Sequence, residues 1–189
     1  MVRLRMSSPA KNEMNVDAFL LWADGRDGRW ELRDGQPVMM APERAGHALT
    51  KYTAQKALEA GILRAGLPCR MFPDGMTVRI TPRNAFEPDA LVVCPPPRDL
   101  NTMEIPNPVI VVEVLSPSTA ADDYGVKLDG YFSVSSVEHY LILDADRRVM
   151  IHHKRGQAEA IETRILRDGV VRLDPPGLEA EVAGFFATE

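Results

Sequence analysis

Residues 108–115 read PVIVVEVL and form the most hydrophobic strand-like segment of the chain. Its near-continuous apolar character is typical of a strand at the centre of a sheet, covered on both faces. A helix is predicted after it, around residues 120–134, followed by two strands, HYLILDA and RRVMIHHK, that a turn connects. Strands and helices in this order indicate an α/β domain with a mixed central sheet.

Two helices and an N-terminal β-hairpin are predicted upstream of this strand. Asn15 is suited to cap a short helix with the sequence VDAFLLWA. The segment WELRDGQPVMM contains two strand-like runs around Asp34-Gly35, which is a strong hairpin signal. A longer helix is predicted over residues 43–65. Its apolar positions include Leu49, Tyr52, Leu58 and Ile62.

Further strands complete the predicted sheet. Two of them, around residues 69–72 and 76–80, are expected to be joined by the turn Pro73-Asp74-Gly75. Residues 86–94 are predicted to be one strand, which the triple proline at 95–97 ends. The last thirty residues carry a further strand or two, IETRILR and GVVRL.

Length and composition fit one compact domain. The chain has 189 residues, of which 45% are hydrophobic, enough for a substantial core. Residues 1–14 are predicted to be a flexible N-terminal tail and residues 15–189 a single domain. The net charge of −5 argues against a protein that coats nucleic acid through broad electrostatics. Bound divalent cations would cancel much of the negative charge of an acidic site.

The two cysteines and the N-terminus bear on the cellular compartment. Cys69 and Cys94 lie far apart in the sequence without Cys/His ligand spacing, so we expect two reduced, buried thiols. The N-terminal residues lack the apolar run of a signal peptide. No segment approaches the roughly 18–20 apolar residues of a membrane span. We therefore expect a cytoplasmic protein that does not enter the membrane.

Glu113 is the most unusual residue because it interrupts the apolar strand. Burial of an ionised carboxylate without a partner costs several kcal/mol. A buried carboxylate is therefore paired in a structural salt bridge or used for function, for example to bind a cation. The sequence around Glu113 leaves both alternatives open.

Asp89 favours the functional alternative. It follows Pro88 and precedes the apolar run Ala90-Leu91-Val92-Val93. A carboxylate at the start of one strand and another inside a neighbouring strand can converge on one hard cation, with water and phosphate as the remaining ligands. A turn or cap residue is the alternative interpretation of Asp89.

Lys127 is the predicted third member of the site. Residues 119–122, Thr-Ala-Ala-Asp, fit a capping box at the start of a helix. In that helix Tyr124, Lys127, Leu128 and Tyr131 share one face. A lysine on an apolar helix face either extends its ammonium to solvent or directs it to a carboxylate or phosphate. The acidic pair favours the second arrangement.

Other polar residues give weaker signals. Glu31 can supply an additional carboxylate or lie on a surface strand, and His47, near the start of the long helix, can face the site. His152 and His153 are neighbours in a predicted strand and point to opposite faces, so they cannot jointly hold one metal ion. Asp144 is interpreted as a turn residue. Helix capping explains at least one of Ser116 and Ser118.

The segments EPDALVVC, PVIVVEVLSPSTAADDYGVKLDGYF and VEHYLILD resemble the Uma-two family of restriction endonucleases, in the PD-(D/E)XK nuclease superfamily. RWELRDGQPVMMAP, followed by His47, resembles the opening hairpin and helix of the family. The resemblance covers residues 15–187. It implies a restriction-endonuclease-like α/β core in which helices flank a mixed central sheet and a β-hairpin lies at the N-terminus.

The resemblance implies that Asp89 and Glu113 are metal ligands and that Lys127 is the catalytic lysine. The sequence departs from the general (D/E)-X-K pattern, because Leu115 stands two residues after the acid, where that pattern has lysine. The resemblance suggests that Lys127 takes over this role.

A metal-dependent endonuclease that hydrolyses DNA with Mg²⁺ (or Mn²⁺) is the function that follows. The rival hypothesis is a catalytically inactive nuclease-like module that binds nucleic acid or a protein partner. A homodimer would suit a duplex cutter, because two strands require two sites.

Overall fold

The computed structural model describes residues 13–115 and 123–187. The helices are α1 (Val16–Ala23), α2 (Ala45–Ala65) and α3 (Asp123–Ser133), with 3₁₀ turns at Gln157–Glu159 and Val182–Phe185. The strands are β1 (Trp30–Arg33), β2 (Gln36–Met39), β3 (Arg70–Pro73), β4 (Val78–Thr81), β5 (Asn84–Phe86), β6 (Ala90–Val93), β7 (Pro108–Val114), β8 (His139–Asp144), β9 (Val149–Arg155), β10 (Ile161–Leu166), β11 (Val170–Leu173) and β12 (Leu178–Glu181).

A six-stranded mixed sheet forms the centre of the fold, with the strand order β10-β9-β8-β7-β6-β3. The β7–β8 pair is parallel, and α3 lies between these two strands in the chain. The other pairs are antiparallel. Every residue of β7 except Val109 is buried. The prediction that this strand is central and covered on both faces is thus confirmed.

The N-terminal hairpin belongs to a second sheet with the order β2-β1-β5-β4. Asp34 and Gly35, the two residues between β1 and β2, have φ angles of 48° and 76°. Positive φ at both positions is what a tight two-residue hairpin turn requires, and aspartate followed by glycine adopts it readily. α1 begins as predicted, because Oδ1 of Asn15 accepts a hydrogen bond of 2.8 Å from the N–H of Ala18.

Two hydrophobic layers cover the faces of the central sheet. On one face, Leu58 and Ile62 of α2 pack with Val112 of β7 and with the β11–β12 hairpin. On the other, Tyr131 of α3 packs with Val111 of β7. Alternating residues of β7 therefore enter different layers. Glu113 has the same parity as Val111 and belongs to the α3 side.

α3 approaches its neighbours closely at Gly130. A Cβ atom added there would lie 2.6 Å from Cε2 of Phe86. Phe86 also contacts Tyr131 edge-on, with 5.6 Å between the ring centroids. The missing side chain at position 130 lets α3 lie directly on this ring, which fixes the height of the helix above the sheet.

Three details of the predicted strands and helices are wrong. The single strand expected over residues 86–94 is two strands, β5 and β6, in different sheets, because Glu87-Pro88-Asp89 separates them. Strands β3 and β4 do not pair with each other but with β6 and β5. Leu49 and Tyr52 of α2 are exposed, whereas Thr50 and Lys51 are buried.

The expectation of two free thiols is also wrong, since Cys69 and Cys94 form a disulfide. Arg70 of β3 pairs with Val93 of β6 in the antiparallel register, so the two cysteines flank this pair and lie opposite each other. The distance along the chain concealed this proximity, because strand pairing brings distant segments together.

Of the predicted N-terminal tail, residues 1–14, the structure describes only residues 13 and 14. Residues 1–12 lie outside the described part. The backbone N–H of Met14 donates to the carbonyl oxygen of Gly35 at 2.8 Å. Within residues 13–115 and 123–187, no helix is long and apolar enough to cross a membrane.

Candidate functional site

Asp89 lies at the entrance to β6, beside the strand that carries Glu113. Its N–H donates to the carbonyl oxygen of Val112 at 2.9 Å, and its Oδ2 accepts the N–H of Val114 at 2.7 Å. The backbone of Asp89 therefore faces the position of Glu113 on β7. Both residues are buried, with 3% and 9% of their surface exposed.

Glu113 belongs to a buried group on the α3 side that we call the Lys127 cluster: Glu31, Glu113, Lys127 and Tyr131. Nζ of Lys127 lies 2.7 Å from Oε1 of Glu113 and 3.0 Å from Oε1 of Glu31. The hydroxyl of Tyr131 donates to the same Oε1 of Glu113 at 2.7 Å. Lys127 and Tyr131 are one turn apart on α3, so one helix face positions both donors.

The two carboxylates of the Lys127 cluster differ in their electrostatics. Burial raises the pKa of Glu113 to about 7; the charges of Asp89 and Glu31 act in the same direction, and Lys127 opposes them. Burial also opposes ionisation of Glu31, but Lys127 and Arg33 outweigh it and hold the pKa of Glu31 below its ordinary value. Burial and the two nearby carboxylates together thus outweigh the effect of Lys127 on the pKa of Glu113.

On the other side, α2 presents a row of polar residues to Asp89. Glu43, two residues before α2 begins, is followed at intervals of four residues by His47, Lys51 and Gln55 on the helix. Such residues lie above one another on one helix face. Nζ of Lys51 lies 3.2 Å from Oδ1 of Asp89, and Nε2 of Gln55 donates to the carbonyl oxygen of Asp89 at 2.9 Å.

Lys51 is the centre of this second group, the Lys51 cluster: Glu43, His47, Lys51, Asp74 and Asp89. Its ammonium is buried and also contacts Glu43 and Asp74. Although burial favours the neutral amine, Asp89, Asp74 and Glu43 together hold the pKa of Lys51 above its ordinary value. Lys51 is therefore a buried cation bound to several carboxylates.

Arg29 connects the Lys51 cluster to the neighbourhood of Glu31. Its guanidinium contacts Glu43, Asp74 at 3.0 Å, and Glu87. The backbone N–H of Glu87 in turn donates to Oε1 of Glu31 at 3.2 Å. The segment Glu87-Pro88-Asp89, which ends one sheet and enters the other, therefore touches both clusters.

The five residues predicted from the sequence all lie in these two clusters. Asp89 and His47 lie on the α2 side, and Glu31, Glu113 and Lys127 on the α3 side. Glu31 is not on the surface but buried, with 2% of its area exposed. The ring of His47 is half-buried, with Nε2 3.8 Å from Oδ2 of Asp89.

The sequence interpretation missed Lys51, Glu43 and Gln55. Their signal was the four-residue repeat with His47 on α2, a polar row on a long helix. The apolar residues Leu49 and Tyr52 indicated that a different face of α2 is buried, but that face is exposed. Arg29, Asp74 and Glu87 have no comparable pattern, because they lie in turns and loops.

The remaining histidines form separate contacts in the central sheet. Nδ1 of His139 lies 2.9 Å from Nε2 of His152, and burial lowers the pKa values of these residues to about 4 and about 3. His153 instead contacts Thr163 at 2.8 Å. The prediction that His152 and His153 point to opposite faces is confirmed.

Asp144 is a turn residue, as predicted, since its Oδ1 accepts the N–H of Arg147 at 3.0 Å. The predicted capping box at residues 119–122 and the residues Ser116 and Ser118 lie outside the described part of the chain. Tyr131 and Leu128 of α3 face the layer that also contains Val111 and Tyr140.

Comparison with known protein families identifies the family of this chain. The Uma2 family, described as "Putative restriction endonuclease", matches residues 16–187. The chain belongs to the Uma2 family. This confirms the resemblance seen in the sequence and covers both clusters.

Two uncharacterized proteins of Synechocystis sp. are similar in sequence. Protein slr1290 is 27% identical over 149 residues, which cover 78% of this chain and 77% of that protein. Protein sll1609 is 31% identical over 140 residues, which cover 72% of this chain and 78% of that protein. Both similarities cover more than two thirds of this chain.

A solved structure from Anabaena variabilis, titled a "putative nuclease belonging to DUF820", has the same fold. The TM-score is 0.71 at 15% sequence identity, over 91% of this chain and 97% of the other. The predicted fold class, a restriction-endonuclease-like core with a mixed central sheet, is thus confirmed. The chain is a member of Uma2 with a nuclease-like fold, and one ligand atom from each of Glu43, His47 and Asp89 lies within 4.8 Å of the others, so these residues could hold a metal ion.

Proposed function

We propose that this Uma2 protein hydrolyses phosphodiester bonds of DNA with the help of Mg²⁺ or Mn²⁺. One observation carries the proposal: the buried Asp89, just before β6, bonds the backbone of β7, which carries the buried Glu113, and the ammonium of Lys127 contacts Glu113 directly. This combination of two acids and one cation suits phosphoryl chemistry.

The chemistry of Asp89 and Glu113 fits a hard divalent cation. Such ions prefer carboxylate oxygens, and each of these two side chains carries a carboxylate. Burial is the main cause of the raised pKa of Glu113, and the charges of Asp89 and Glu31 add to it; a bound cation would favour the ionised carboxylate. When bound there, the cation would polarise the phosphate and lower the pKa of the attacking water.

Lys127 is proposed to act on the substrate and not on the cation. A charged ammonium has no lone pair and cannot be a metal ligand. Its donors can instead stabilise the charge that grows on the phosphate oxygens or orient the attacking water. Tyr131, which donates to the same carboxylate oxygen, holds Glu113 in place. Leu115, at the usual lysine position, packs in the apolar layer on the α3 side.

DNA is proposed as the substrate from family membership. Because the net charge is −5, DNA must bind through positive charge close to the site and not through the whole protein surface. Lys51, Lys127, Arg29 and the bound cation supply positive charge there. Cleavage of both strands of a duplex would require two such sites.

A homodimer that supplies two sites can form along β10. Among the described strands, β10 pairs only with β9, and Ile165 at this edge is 66% exposed. Antiparallel pairing of two copies centred on Thr163 would place Glu162 opposite Arg164 of the partner subunit. The same register places Ile161 opposite Ile165 of the partner subunit. Opposite charges and paired isoleucines both stabilise cross-strand neighbours.

Cleavage of supercoiled plasmid tests the proposed activity. The wild type should nick or linearise the plasmid with Mg²⁺ or Mn²⁺ and remain inactive with EDTA, whereas Asp89→Asn should be inactive under all conditions. Asp168→Asn is a matched control, since Asp168 is an exposed carboxylate in the turn between β10 and β11. Binding of Mn²⁺ without cleavage of any DNA form would support the rival hypothesis of an inactive nuclease-like module.

A further inference from the structure

His47 carries a buried ring nitrogen with a free lone pair. Its Nε2 lies 3.0 Å from the carbonyl oxygen of Val114. A carbonyl oxygen can only accept, so Nε2 bears the hydrogen, and in the neutral ring Nδ1 has the lone pair. This Nδ1 is buried and has no hydrogen-bond partner among the described residues.

Two carboxylates lie near the ring of His47, one beside each nitrogen. Oε2 of Glu43 lies 3.9 Å from Nδ1, and Oδ2 of Asp89 lies 3.8 Å from Nε2. One ligand atom from each of Glu43, His47 and Asp89 can be chosen so that all three lie within 4.8 Å of one another. Ligands bound to one ion at about 2.0–2.2 Å lie closer together than this, so small side-chain movements would complete the site.

The hydrogen bond to Val114 is itself typical of a metal-binding histidine. Such histidines donate the other ring N–H to a carboxylate or backbone carbonyl, which fixes the tautomer and the ring orientation. The backbone of β7 performs this task here. His47 is thus held with Nδ1 on the side of Glu43, whose Oε2 lies 3.9 Å away.

We propose that Glu43, His47 and Asp89 form a second divalent-cation site that prefers first-row transition metals to Mg²⁺. The preference follows from the ligands: imidazole suits Zn²⁺, Co²⁺ and Ni²⁺ better than it suits Mg²⁺, which favours oxygen. The site deepens the proposed function because it shares Asp89 with the pair Asp89–Glu113. It does not depend on Glu113 or Lys127.

Lys51 competes with a cation for this site. Its ammonium contacts Glu43 and Oδ1 of Asp89, so it already neutralises part of the negative charge. The other oxygens, Oε2 of Glu43 and Oδ2 of Asp89, lie on the side of His47, and Oδ2 also accepts the N–H of Val114. The substitution Lys51→Met, which removes this positive charge, should therefore strengthen cation binding.

Titration of the metal-free full chain with Co²⁺ tests the proposal, with calorimetry for affinity and visible absorption for the coordination. Wild type should bind Co²⁺ with an absorption band that responds to His47→Gln, and this variant should lose roughly 10–100-fold or more in affinity. Glu43→Gln should weaken binding in the same way. Glu113→Gln is the matched control and should retain the Co²⁺ band of wild type.

Two results would overturn the proposal. One is equal Co²⁺ affinity in wild type and His47→Gln; the other is loss of the Co²⁺ band in Glu113→Gln, which would mean a single shared ion. If the His47 variant does not fold, the ¹⁵N resonance of Nδ1 in wild type decides, because Zn²⁺ must shift it. None of these readouts requires DNA cleavage, so an inactive protein that binds Co²⁺ through His47 would contradict only the proposed nuclease function.

Discussion

Nζ of Lys127 lies 2.7 Å from Oε1 of Glu113 and is bound at the same time to Glu31, 3.0 Å away. The pKa values of these two carboxyl groups shift in opposite directions. Glu31 has the additional charge of Arg33 as a partner, with Nη2 2.7 Å away, whereas Glu113 faces further negative charge from Asp89 and Glu31. Burial, together with this negative charge, raises the pKa of Glu113, whereas two cations lower the pKa of Glu31.

The first prediction compares Glu31→Gln with Glu113→Gln in metal-free protein at pH 7.5. Glu31→Gln should lower the free energy of unfolding by about 3 kcal/mol, because it breaks a buried ion pair. Glu113→Gln should leave stability unchanged or raise it, because it relieves repulsion and desolvation. Thermal melts measure both. A large drop in melting temperature for Glu113→Gln would show that this residue is a structural partner of Lys127.

The second prediction concerns the pH dependence of stability. The pKa of Glu113 is about 7 in the folded protein, above the ordinary value near 4.5. Between these values the folded state binds more protons than the unfolded state, so the contribution of Glu113 to stability falls as pH rises from about 4.5 to about 7. Urea unfolding from pH 5 to 7.5 should show that the stability of Glu113→Gln relative to wild type increases with pH. Parallel profiles for the two proteins would contradict the raised pKa.

The third prediction separates chemistry from metal binding at Lys127. Lys127→Ala should leave the affinity for Mn²⁺ unchanged or raise it, since a nearby positive charge is removed. Plasmid cleavage should fall by roughly 10²–10³-fold, as for the loss of one preorganised donor. Lys127→Arg should restore little activity, because a planar guanidinium does not replace a compact ammonium.

Lys51→Ala is the comparison for that experiment, because Lys51 is the other buried lysine near the two carboxylates. If Lys127→Ala cleaves at the wild-type rate and Lys51→Ala does not, the catalytic role belongs to α2 and not to α3. Far-ultraviolet circular dichroism of both variants controls for loss of structure.

The fourth prediction concerns the homodimer along β10. Glu162→Arg should place like charges opposite each other in the register centred on Thr163 and dissociate the dimer. The charge-swapped double variant Glu162→Arg/Arg164→Glu should restore it. Sedimentation equilibrium measures the association. Glu179→Arg, at an exposed position of β12, is the control, and a monomeric wild type would exclude this interface.

The strongest sequence signals were polar residues inside apolar segments. Glu113 and Lys127 were recognisable because a charged group on a buried strand or an apolar helix face requires a partner, and the structure joins these two directly. The hairpin at Asp34-Gly35 was predictable for a local reason, since those two residues suit positive φ angles. Both kinds of signal lie within a few neighbouring residues.

Features that depend on long-range pairing were not predictable in this way. The position of Cys69 opposite Cys94 follows from the β3–β6 register, and the separation of β3 from β4 follows from the choice of partner strands. Lys51 was missed because its burial depends on Asp74 and Asp89, which approach α2 from distant segments. A buried lysine with three carboxylates resembles an ordinary surface lysine in sequence.

The close contact between Gly130 and Phe86 has a consequence for the evolution of the family. Lys127 lies about one helical turn before Gly130 on α3, and its Nζ is 5.9 Å from the centroid of the Phe86 ring. The same ring therefore contacts both the helix at Gly130 and the lysine. A larger residue at position 130 can be accommodated without displacing Lys127 only if the aromatic ring becomes smaller. Across Uma2 sequences that keep a lysine at this place, the side-chain volumes at these two positions should therefore covary inversely.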